Sequence, residues 1–103
     1  MQSTMMINCQ QRGLTFVPKA LDRNTISLDL SNNTLTELHT DSFGMLFHLQ
    51  DLNLSHNTIR NIEPGAFSQM AKLKVLFLQG NQLTDLDPMT FDDLDLILTF
   101  PDA

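Results

Sequence analysis

Three stretches, LDLSNNTL from Leu28 to Leu35, LNLSHNTI from Leu52 to Ile59 and LFLQGNQL from Leu76 to Leu83, begin 24 residues apart. Laid in register they align Leu28/Leu52/Leu76, Leu30/Leu54/Leu78, Asn33/Asn57/Asn81 and Leu35/Ile59/Leu83. The agreement continues outward through Leu38/Ile62/Leu86, Phe43/Phe67/Phe91, Leu46/Met70/Leu94 and Leu49/Leu73/Ile97. So many positions recurring at one period mark a chain built from stacked units rather than around one irregular core.

Each column has a physical reason. In L-x-L the two leucines point to one side of a short strand and the residue between them to the other, so the strand is half buried. The asparagine that follows sits where the chain turns away, and its amide can both donate to and accept from backbone groups of adjacent units. Phe43, Phe67 and Phe91 fill the interior behind the strands, where burying a side chain of that size contributes roughly 1.5–3 kcal/mol. No single unit can bury this face alone, and stacking is obligatory.

The pattern L-x-L-x-x-N-x-L-x-x-L, followed by a Phe and two further apolar positions, resembles the leucine-rich repeat of the 24-residue class. That resemblance implies an α/β repeat solenoid: a right-handed coil with short parallel strands on its concave face and irregular or 3-10 turns on its convex face. Three repeats are expected at 26–49, 50–73 and 74–97. Before them, Ile7, Cys9, Leu14 and Val17 stand at the offsets of Leu28, Leu30, Leu35 and Leu38, with Arg12 in the asparagine position. INCQQRGLTFVP (7–18) is similar to the last part of the cysteine-rich N-terminal cap of extracellular leucine-rich repeat proteins, so 1–25 is expected to be a partial cap-like coil. After the repeats, Phe100 is expected to begin another L-x-L with Asp102 in its second leucine position, leaving 98–103 as a truncated tail. The other cap cysteines and a C-terminal cap are missing, which points to a piece of a longer protein.

Composition narrows the function. The 103 residues carry a net charge of -6, and Arg12, Lys19, Arg23, Arg60, Lys72 and Lys74 form no cluster, which disfavours nucleic acid and anionic membrane as partners. No apolar run is long enough to span a bilayer, and the N-terminus has no signal-peptide pattern. No nucleophile, base and cofactor constellation is present, so neither an enzyme nor a cofactor is expected. Cys9, in register with Leu30 and Leu54, is expected to pack as a small hydrophobe. His39, His48 and His56 have no second ligand at metal spacing, and Asp85, Asp87, Asp92, Asp93 and Asp95 match no calcium loop, so a solvated acidic face is expected and no metal.

Binding residues are expected where side chains leave the strands on the concave side: Asp29 and Asn32, then Asp51, Asn53 and His56, then Val75, Phe77 and Gln79. Ser27, Ser31, Ser55 and Gly80 belong to the same surface, which runs from acidic and hydroxylic to apolar. Phe77, between two strand leucines, is a candidate contact anchor. The sequons Asn32-Asn33-Thr34 and Asn53-Leu54-Ser55 make Asn32 and Asn53 candidate glycan acceptors in a secreted protein. The resemblance extends to Toll-like receptor ectodomains and related receptor or adhesion proteins. It implies an extracellular or secretory-pathway recognition module with a protein ligand or receptor partner. An incomplete stack that self-associates through its C-terminal edge, as an assembly or scaffold piece, is the alternative.

Overall fold

The computed structural model describes residues 5–84, Thr90 and the strand at 97–99. Five parallel strands form one sheet: β1 (Met6–Asn8), β2 (Ser27–Asp29), β4 (Asp51–Asn53), β6 (Val75–Phe77) and β7 (Ile97–Thr99). A second, two-stranded parallel sheet joins β3 (Glu37–Leu38) to β5 (Asn61–Ile62) on the return path of the coils. Among the described residues the rest of each coil is turns and bends, without helix. None of the described helices could therefore cross a membrane.

The 24-residue columns become physical neighbours. Ile7 pairs with Leu28, Leu28 with Leu52, and Leu52 with Leu76. Behind the sheet the strand leucines, Leu35 and Ile59, Leu38 and Ile62, and Leu49 and Leu73 are all buried. Phe43 and Phe67 stack with ring centroids 5.8 Å apart, an arrangement that adds to the gain from burial alone. Cys9 and Leu14 of the first coil are partly buried against this core, consistent with packing as hydrophobes.

The asparagine column is a hydrogen-bonded ladder. Asn57 accepts at Oδ1 from the Leu35 amide (3.1 Å) and donates through Nδ2 to the carbonyls of Leu30, Leu54 and Ser55. Asn33 does the same upward, accepting from Arg12 and Leu14 and donating to Cys9, and Asn81 does so toward Ile59 and Leu54. Each amide joins its own coil to the preceding one and satisfies backbone groups the turn would otherwise leave orphaned in the interior. Arg12 ends this ladder with its backbone, since the asparagine below supplies the bond.

Two features correct the sequence reading. The first concerns the last coil: Leu98, not Phe100, lies opposite Leu76, a spacing of 22 residues, and Ile97 lies opposite Val75 instead of closing the apolar column of Leu49 and Leu73. The second concerns the start of the stack, where Thr25 occupies that closing column and is fully buried. Its amide bonds to the Asp22 carbonyl as Leu49 does to Leu46 and Leu73 to Met70, and its hydroxyl donates to the same Asp22 oxygen. A polar residue fits this buried column because its own turn satisfies it. Leu86, Phe91 and Leu94 lie outside the described residues.

Candidate functional site: the concave face of the sheet

Because side chains alternate along a strand, the residues flanking the central leucine of each strand share the open face. The register fixes two rows across it. One runs Met6, Ser27, Asp51, Val75 and the other Asn8, Asp29, Asn53, Phe77. Together they line a groove of about 460 Å³ floored by Ile7, Leu28 and Leu52. Its middle is polar, with Asp29 and Asp51 on adjacent strands. Its sides are apolar, with Met6 72% exposed at one end and the half-buried Val75 and Phe77 at the other. None of the six Lys and Arg residues lines it.

The second row also shapes the turns. Asp29 Oδ1 accepts from the Ser31 amide (2.9 Å) and hydroxyl (2.6 Å), and Asn53 Oδ1 accepts from the Ser55 amide (3.0 Å) and hydroxyl (2.6 Å). Asn8 makes the equivalent bond to the Gln10 amide. These Asx turns hold the acceptor oxygen of each residue and leave its second polar atom, Oδ2 of Asp29 or Nδ2 of Asn53, at the groove. Phe77 has no such oxygen, and the row changes there from turn-forming to apolar.

Of the eight residues expected on this face, the structure brings five into the groove: Asp29, Asp51, Asn53, Val75 and Phe77. Asn32, His56 and Gln79 do not line it. Asn32 and His56 have positive φ (58° and 56°), as do Gln11 and Gly80 in the neighbouring coils, because the chain must turn sharply between the strand and the ladder asparagine. Asn32 therefore sits exposed on the corner, with His56 one coil further on. The His56 ring lies over Gly80, where a Cβ would meet Nδ1 at 2.4 Å, so glycine gives room for the ring as well as the backbone conformation. Gln79 is half buried with Oε1 inside, and Ser31 and Ser55 are buried under the Asx turns. The signal for this division was the column Asn32, His56, Gly80, whose mix of residues tolerant of left-handed backbone marks a turn and not a strand.

The other chemistry-bearing residues are dispersed. His39 lies between Glu37 (3.4 Å) and Glu63 (3.7 Å) beside the second sheet, all three exposed, and His48 contacts Lys72. Among the described residues no group of three or more His, Cys, Asp or Glu side chains could hold a metal ion. The acidic positions Asp85, Asp87, Asp92, Asp93 and Asp95 lie outside the described residues.

Comparison with known proteins agrees with this architecture. A leucine-rich repeat family profile matches residues 23–83 and again 47–99. Human biglycan is 43% identical over 47 residues, 46% of this chain and 13% of biglycan. Biglycan of Xenopus laevis is similar to the same extent. The crystal structure of human 5T4 (Wnt-activated inhibitory factor 1, trophoblast glycoprotein) superposes with a TM-score of 0.83 at 33% identity, over 90% of this chain and 35% of that one. This chain thus spans a minor part of each of these proteins. With the profile covering most of its length and the stacked coils and asparagine ladder in place, the chain belongs to the leucine-rich repeat family.

Proposed function

We propose that this chain is a recognition segment of an extracellular leucine-rich repeat protein and that it binds a protein partner on the concave face of its sheet. The observation that carries the reading is the groove itself. Short parallel strands hold Asp29, Asp51, Asn53, Val75 and Phe77 on a rigid surface, with apolar anchors beside polar groups that have unused hydrogen-bonding capacity. That mixture suits a protein interface, in which a few aromatic or aliphatic anchors dominate the energy and polar groups set specificity. No histidine, cysteine or lysine lines the groove to act as nucleophile or base, so binding fits it better than catalysis.

Similarity to biglycan and 5T4, which carry the same repeat, supports the broader reading of an extracellular module. The cap-like INCQQRGLTFVP and the phenylalanine column support the narrower one of a Toll-like receptor ectodomain. For a secreted protein, Asn32 is the sequon better placed to carry a glycan with the groove left open, since it stands exposed on the corner while Asn53 lies within the groove.

The test is proximity labelling with the chain displayed on cells, comparing it with Phe77→Asp in the groove and Arg60→Glu away from it. A partner should be labelled by the parent chain and by Arg60→Glu and lost with Phe77→Asp, and the purified partner should bind the chain directly. Undiminished labelling by a folded Phe77→Asp chain would overturn the reading.

A further inference from the structure

We propose that the groove takes a cationic, partly apolar peptide segment. An arginine or lysine of the partner sits between Asp29 and Asp51, and apolar side chains of the same segment rest on Met6 on one side and on Val75 and Phe77 on the other. The proposal rests on the concave face being the binding face and names the chemistry of what it binds.

Three observations carry it. The first is placement. Asp51 lies opposite Ser27, and Asp29 lies opposite Asn53, so the two carboxylates stand diagonally on adjacent strands. Strands about 4.8 Å apart that rise about 3.3 Å per residue set them about 8 Å apart in the plane of the sheet, a gap that one guanidinium or ammonium group can bridge. The second is the lack of an internal counterion. Asp51 makes no hydrogen bond or ion pair among the described residues, Asp29 uses only Oδ1, on Ser31, and no Lys or Arg lines the groove. Covering these carboxylates with an uncharged or anionic surface would strip their water without replacing it, whereas a cationic partner restores charge-assisted bonds. The third is the flanking apolar surface, which a purely polar polycation would leave wet. Charge and apolar contact together select a mixed segment over a nucleic acid, an anionic lipid or a simple polycation.

The test uses the isotope-labelled full chain and three short synthetic peptides: alternating arginine and leucine, alternating glutamate and leucine, and alternating arginine and serine. Asp29→Asn combined with Asp51→Asn removes the charge without disturbing the fold, since Asn8 and Asn53 already form the same turn in the row of Asp29 and Asp51 is exposed. The arginine–leucine peptide should shift the backbone resonances of Asp29, Asp51, Val75 and Phe77. Its affinity should fall about tenfold or more in the double variant and fall further with added salt. The arginine–serine peptide should bind about tenfold more weakly, and the glutamate–leucine peptide should not bind.

Equal binding of the glutamate–leucine peptide, unchanged affinity in the double variant, shifts centred on Glu37 and Glu63 instead of the groove, or no binding at millimolar peptide would each overturn the proposal. A cell-surface partner lost with Phe77→Asp but retained by the double variant would overturn the cationic segment while leaving the concave face as the binding face. A partner indifferent to both variants would overturn both.

Discussion

Asn57 and Asn53 are four residues apart in the same coil, one in the ladder turn and one on the open sheet, and they are held very differently. Asn57 is buried and makes four hydrogen bonds, two of them to groups of the preceding coil. Asn53 is half exposed and its side chain bonds only to Ser55, two residues on. One coil further, Asn81 keeps the place of Asn57, while Phe77 replaces Asn53. A position whose partners lie in another coil has little latitude, because a change orphans groups on both sides. On the open sheet, where the partner is local, Asp, Asn and Phe alternate and the surface can be fitted to a ligand.

The comparison can be broken at three depths. The largest effect is expected for Phe67→Ala, which empties the interior on which both regions stand. The ring is fully buried and stacks on Phe43, so the loss should be about 3–5 kcal/mol in equilibrium denaturation. Asn57→Ala strikes the ladder alone and should cost roughly 1–3 kcal/mol by leaving buried backbone groups unpaired. An unchanged denaturation midpoint there would mean that water replaces the amide and that the ladder does not hold the coils together. Asp29→Asn strikes the open sheet and should move stability by less than about 0.5 kcal/mol, because the amide oxygen can accept from Ser31 as Asn53 does from Ser55. A cost comparable to that of Asn57→Ala would show the sheet face to be as constrained as the turn.

Much of the fold was legible because the repeat reports itself. Leu28, Leu52 and Leu76 are identical in type at one spacing, and a solenoid turns equal spacing in sequence into adjacency in space. Where the spacing changes, that logic fails. The strand at Ile97–Thr99 follows its predecessor after 22 residues, and extending a period of 24 put Phe100 in the place taken by Leu98. Thr25 was hidden for a related reason, since a threonine in a leucine column looks like a break in the pattern until its hydroxyl is seen bonded to Asp22. The binding face was half legible. Alternation along the strand correctly assigned Asp29, Asp51, Asn53, Val75 and Phe77, but carrying it past the second leucine took in Asn32, His56 and Gln79, where the strand has already ended.

By itself the sequence determined the repeat, the buried columns, the ladder asparagines and membership in a family of stacked coils, because these follow from which side chains recur at one period. Only the tertiary structure decided where each strand stops and therefore which polar residues share a groove. The left-handed residues at Asn32, His56 and Gly80 end the alternation, and the register between coils sets Asp29 beside Asp51 with no cation near them. Strand ends and cross-strand neighbours are set by hydrogen bonds between residues some 24 positions apart, so no local pattern can state them.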